Sequence, residues 1–188
     1  MLTVVSDALA LAACCALVVA WVRRRAARLA GEIATRPPEL RAAELTYREA
    51  LFRTERPFPL VAKLDRAYRL RSGVLVLVEL KTRKVDRPYA SDVIQLSAQK
   101  LAIEGRTGER VAPYAFVSVL RPTGWRSLRH HRVALLTAEE VEALRRRREA
   151  IVVGRASAQY ARSREACAEC AFRARCDQGL KTRSRMFS

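Results

Sequence analysis

The chain has 188 residues, room for one domain and an appendage. It carries 36 Lys and Arg against 19 Asp and Glu, a net charge of +17, which favours a polyanionic partner, DNA or RNA, met through phosphate contacts and counterion release. Its five cysteines, an odd and clustered set, exclude a secreted disulfide framework, and no P-loop or G-x-G-x-x-G is present to cradle a nucleotide.

Residues 1–22, MLTVVSDALALAACCALVVAWV, contain one acid, Asp7, and no base. This apolar run predicts one N-terminal transmembrane helix, with Trp21 at the interfacial level. Arg23, Arg24 and Arg25 follow directly. The positive-inside rule then predicts a single-pass protein of the inner (cytoplasmic) membrane with its domain in the cytoplasm. Residues 23–39 read as a basic linker closed by Pro37-Pro38 and able to touch anionic headgroups. The stretch from Glu39 to Arg53 reads as a helix.

Phe58–Leu70 and Val74–Thr82 read as two strands of a hairpin. Arg71, Ser72 and Gly73 form the loop, with Gly73 in the left-handed position. Leu70 then faces Val74, and counting outward sets Asp65 opposite Glu79. Opposed side chains in such a ladder are ~5 Å apart at Cβ. Lys81, two residues beyond Glu79, projects from the same face, and in this register so does Lys63. Opposed carboxylates call for a cation, and hard divalent metals take carboxylate oxygens. Asp65 and Glu79 are therefore candidate ligands for magnesium or manganese, with the backbone carbonyl of Leu80 as a further ligand. Such an ion lowers the pKa of a bound water and offsets charge on a phosphate oxygen. Lys81 is placed to orient that water or stabilise the transition state. These are the parts needed for phosphodiester hydrolysis.

Ser91 to Gly105 reads as a helix on which Gln95 and Gln99 share a face. VAPYAFVSVL and RHHRVALL read as strands. On the second of them His130 and His131 point to opposite sides and do not make a metal pair. Thr137 and Glu140 form a capping box for a helix carrying Arg145 to Arg148. In the arginine-rich tail, Cys167, Cys170 and Cys176 have the spacing of an iron–sulfur or zinc site, its fourth ligand open among His130, His131 and Asp177.

Taken together and in this order, the motifs resemble those of the PD-(D/E)XK nuclease superfamily, in its RecB-like branch, and are similar to those of CRISPR-associated iron–sulfur exonucleases. Asp65 matches the first acidic metal ligand, Glu79 and Lys81 the E-x-K, and Gln95 the glutamine that opens the Q-x-x-x-Y helix motif. CAECAFRARC matches the closing C-x-x-C-x5-C, and Glu44 matches, more loosely, an acid on the first helix. Gln99 stands where that family has tyrosine, and no cysteine lies between Trp21 and Cys167 to supply the cluster's fourth ligand. The resemblance implies an α/β fold with a restriction-endonuclease-like core, a mixed central sheet flanked by helices. In this chain that core would follow the transmembrane helix: anchor 1–22, linker 23–39, nuclease-like domain 40–154, and basic cysteine-containing tail 155–188. It implies a membrane-tethered, magnesium- or manganese-dependent nuclease acting on DNA, on single strands or ends, with Asp65, Glu79, Lys81 and Gln95 as its site. An alternative is a catalytically degenerate, nuclease-like module that grips nucleic acid without cutting it. A third is a membrane-anchored metal or redox sensor built on the cysteines.

Overall fold

Among the described residues five strands form one mixed sheet in the spatial order of the sequence. They are β1 (Glu44–Thr54), β2 (Leu60–Arg69), β3 (Leu75–Thr82), β4 (Val111–Leu120) and β5 (Leu128–Ala134). The structure, a computed structural model, describes residues 16–24, 26, 30–122, 128–159, 167, 170 and 173–176. β1, β2 and β3 are a meander of antiparallel neighbours, β4 lies parallel to β3, and β5 closes the edge antiparallel to β4. A parallel pair needs a long crossover, which here is helix α1 (Ala90–Thr107). A second helix, α2 (Ala138–Val152), begins at the Thr137–Glu140 capping box.

The apolar run of β3 follows from burial on both faces. Leu75 and Leu77 pack with Leu96, Ala102 and Ile103 of α1, while Val76 and Val78 pack with Leu40, Tyr68 and Phe116 on the other side. A strand covered on both faces reads as continuous Val and Leu. On the side away from α1, residues 30–34 are helical and bring Glu32 to Tyr68. Glu32 is buried, accepts two hydrogen bonds from the Arg36 guanidinium (2.8 and 3.1 Å) and one from the Tyr68 hydroxyl (2.5 Å). Burial pushes its carboxyl up, but the donors Arg36 and Tyr68 outweigh that and hold it below the usual carboxylate range. Burial and the Glu32 carboxylate push the Tyr68 phenol up to about 12.

Three expectations are corrected here. No helix among the described residues is long and apolar enough to cross a membrane, which overturns the N-terminal transmembrane helix and with it the single-pass inner-membrane location. Residues 1–15 of the expected span lie outside the described residues. Of the rest, helical residues 16–22 are apolar and run straight into Arg23 and Arg24. Seven helical residues reach ~10 Å, against a hydrocarbon core of ~30 Å.

Second, the helix expected over 39–53 is strand β1. Its helix-forming composition yields to pairing with β2, from Glu44↔Arg69 to Thr54↔Leu60, which buries Phe52 and Thr54. Third, α1 begins at Ala90 rather than after Ser91, because the Asp92 carboxylate accepts the Tyr89 N–H at 2.7 Å. It ends at Gly108 (φ +72), not at Gly105. Gly105 is a contact residue: a Cβ there would lie 2.3 Å from the Arg56 carbonyl oxygen.

The chain divides into two units, Met1–Val141 and Glu142–Ser188. The first holds the whole sheet and α1. The second holds the remainder of α2, where Arg146 pairs with Glu142 and Arg145 with Glu149, and the cysteine tail.

Candidate active site

The hairpin has the three-residue loop 71–73, with Leu70 N–H donating to Val74 at 2.9 Å and Gly73 at φ +82. The β2–β3 ladder runs inward from there to its last pair, Arg66↔Val78. Asp65 and Glu79 are the next opposed positions. In a continuing ladder Leu80 would face Leu64. Instead its N–H donates to Asp65 Oδ2 at 2.9 Å.

The strands part here because the inward phase of β2 slips. Leu60, Ala62 and Leu64 join the α1-side core, and then Ala67 does, an odd step. β1 slips in register with it, from Tyr47 to Ala50 and Phe52, across Glu49. Glu49 is the one non-glycine residue with positive φ among the described residues (+49°), a conformation that costs ~1–2 kcal/mol. Lys63, expected beside Asp65, is exposed and pairs with Glu49 at 2.7 Å.

Glu79, 3% exposed, is the last buried residue of β3, which runs on through Leu80 and Lys81 to Thr82. Its Oε1 accepts from Lys81 Nζ and from Gln95 Nε2, both at 2.7 Å. Lys81 Nζ also donates to Gln95 Oε1 at 2.9 Å. The three side chains form a closed triangle that leaves the Gln95 amide only one workable orientation. Glu79 Oε2 accepts from Gln99 Nε2 at 3.1 Å, and the same nitrogen donates to the Lys63 carbonyl at 2.9 Å. Gln99 Oε1 is buried without a hydrogen-bond partner among the described residues, which costs ~1–3 kcal/mol.

Burial pushes the Asp65 carboxyl above its usual range, and the neighbouring Glu79 and Glu49 push the same way. The Leu80 N–H and the Lys81 charge pull against that without cancelling it. Two carboxylates and one ammonium leave the site a net negative charge among hard oxygen donors, a set that suits magnesium or manganese. Among the described residues two acidic side chains, Asp65 and Glu79, meet there, and no three His, Cys, Asp or Glu are placed to hold a metal ion.

The structure thus brings Asp65, Glu79, Lys81 and Gln95 together and does not bring Glu44. Glu44 opens β1, exposed and opposite Arg69, four residues along β2 from Asp65, or ~13 Å. Cys167, Cys170 and Cys176 belong to the second unit as thiols and do not gather into a three-ligand site. Asp177, one of the candidates for the fourth ligand, lies outside the described residues. His130 and His131 make separate contacts, with Ser118 and Asp86 respectively. Gln99 is the residue that sequence reasoning left outside the site, although its four-residue spacing from Gln95 put both on one helix face.

After Lys81 the chain enters a basic loop. Arg83 is tied down by Asp92 (2.7 Å) and lies over the Tyr89 ring (4.0 Å), whereas Lys84 and Arg87 are exposed. A separate groove of about 810 Å³ lies beside the end of β1 and α1, lined in part by Arg53, Arg56 and Arg106.

An antiparallel meander, a helical crossover and a parallel fourth strand, with carboxylates where the central strands part, fit the restriction-endonuclease-like class of α/β folds. A family model for the PD-(D/E)XK nuclease superfamily matches residues 3–177, and the chain belongs to that superfamily. No curated protein matches. Among solved structures, one titled "Crystal structure of SSO0001" matches at 16% identity and a TM-score of 0.46 over 73% of this chain. The match spans 59% of that protein's length.

Proposed function

We propose that the protein is a divalent-metal-dependent nuclease that hydrolyses DNA phosphodiester bonds, in single strands or at ends. The observation that carries this is the meeting of Asp65, Glu79 and Lys81 where β2 and β3 part. Magnesium or manganese would be held by Asp65, Glu79 and the Leu80 carbonyl. When bound, such an ion supplies a water of lowered pKa and charge compensation for the phosphate.

The chain's own residues do the rest. Lys81 presents an ammonium, fixed between Glu79 and Gln95, to the negative charge that develops on the phosphate. Gln95 holds Lys81 and Glu79 in one orientation. The exposed Lys84 and Arg87, and the groove with Arg53, Arg56 and Arg106, offer charge to the nucleic-acid backbone. The order Asp65, Glu79-x-Lys81, Gln95 supports a RecB-like kinship within the superfamily.

The test is the full chain with labelled single- and double-stranded DNA in magnesium or manganese. Cleavage that disappears in Lys81→Ala, with DNA binding kept, is the expected result. Intact DNA under both metals overturns the reading. One observation favours a second reading, a nucleic-acid-binding module that does not cut: both oxygens of Glu79 already accept from protein donors. Salt-sensitive DNA binding without cleavage would select it.

A further inference from the structure

We infer that Gln99 is a positioning residue of the carboxylate site, setting the spacing of β2 and β3 where their ladder ends and holding one oxygen of Glu79. The inference rests on the nuclease reading for its purpose but on independent geometry for its content. The last ladder pair is Arg66↔Val78. Beyond it, β2 and β3 are bridged by two side-chain links. One is the Asp65 carboxylate on the Leu80 N–H at 2.9 Å. The other is the Gln99 amide, whose single Nε2 spans from the Lys63 carbonyl on β2 (2.9 Å) to Glu79 Oε2 on β3 (3.1 Å).

The two halves of the Glu79 carboxylate are therefore held by different groups, Oε1 by Lys81 and Gln95, Oε2 by Gln99. Gln99 is 1% exposed and, among the described residues, leaves its own Oε1 without a donor. A side chain needed only to fill space would be better served there by Leu or Met, which bury no orphaned acceptor. The orientation of the amide is set by its contacts: turned over, its oxygen would face two acceptors. Partners that orient a metal-ligating carboxylate typically change metal affinity by 10–100-fold when removed.

The experiment compares the full-length wild type with Gln99→Met. Manganese and magnesium binding are measured by calorimetry, and exchange of the Leu80 amide by NMR without metal. Expected are a manganese Kd raised about tenfold or more, Leu80 exchange about tenfold faster, and a Tm without metal that moves by only a few degrees. If the wild type binds either ion, Gln99→Met binds it equally well and Leu80 exchange is unchanged, the inference is overturned while the nuclease reading stands. A wild type that binds neither manganese nor magnesium overturns the nuclease reading. The Leu80 amide then decides alone, faster exchange upholding the strand-spacing role and unchanged exchange removing it. Should Gln99→Met not fold, Gln99→Asn, too short to reach both acceptors and too small to overpack, carries the same two expectations.

Discussion

Asp65 takes through its carboxylate the backbone N–H of Leu80, 2.9 Å away, that a continuing β2 would have taken through Leu64. A side chain so replaces a rung of the ladder, and one carboxylate oxygen is anchored while the strands separate. The rest of the site is built around that opening.

Asp65→Asn keeps an acceptor for Leu80 and removes a half-buried charge that faces Glu79. Cleavage should be lost, while stability at neutral pH should hold or rise. A gain of ~1 kcal/mol corresponds to ~2–4 °C in a chain of this size. Thermal scans with and without magnesium check this: the wild type should be stabilised by the metal and the variant should not. A variant that unfolds well below the wild type contradicts it.

Lys81→Met removes the ammonium and leaves Glu79 Oε1 to Gln95 alone. Loss of one transition-state stabiliser typically lowers kcat by ~10²–10³. Single-turnover cleavage with DNA binding measured in parallel separates the chemistry from the grip, and a fall in affinity of the same size would assign Lys81 to binding.

Arg53, Arg56 and Arg106 line one groove. Replacing all three with Ala should weaken single-stranded DNA binding regardless of sequence. It should also flatten the slope of log K against log salt by about 2, at ~0.7 for each phosphate no longer neutralised. An unchanged slope places the nucleic acid elsewhere.

Glu32 is held below the usual carboxylate range by Arg36 and Tyr68 against its burial. A carboxyl depressed in the folded state contributes stability above its unfolded pKa, near 4.5, and loses that contribution as pH falls through the folded value. Glu32→Gln should therefore be less stable than wild type at pH 7 and converge toward it in acid. Urea midpoints across pH 3–7, with ~1–3 kcal/mol at the neutral end, test this; parallel curves would contradict it.

Gly105 faces the Arg56 carbonyl and Thr54 Oγ1, which a Cβ would meet at 2.3 and 2.4 Å. Gly105→Ala should cost ~1–3 kcal/mol despite its better helix propensity. A raised Tm would show that β1 yields freely at that point.

The motif residues were legible in the sequence because a hairpin is local. Three loop residues ending in Gly73 set Leu70 against Val74, and counting outward gives the register as far as Arg66↔Val78, one position short of Asp65 and Glu79. The four-residue step from Gln95 to Gln99 was equally visible, but not its destination. That α1 lies across the parting of β2 and β3, and so delivers both amides to Glu79, depends on the crossover from β3 to β4.

What the sequence by itself determined is whatever depends on near neighbours: the hairpin and its register, the α1 and α2 segments, strands β4 and β5, and the basic charge. Tertiary structure decided the rest. Pairing with β2 made a strand of the helix-forming 44–54 segment, and Tyr68 buried the Glu32–Arg36 pair of a stretch that reads as linker. The apolar start does not make a membrane-spanning helix among the described residues. Gln99 became part of the site only through a carbonyl on one strand and a carboxylate on another. The physical reason is that local propensities differ by only fractions of a kcal/mol per residue, whereas strand pairing and burial sum over many contacts between segments distant in sequence.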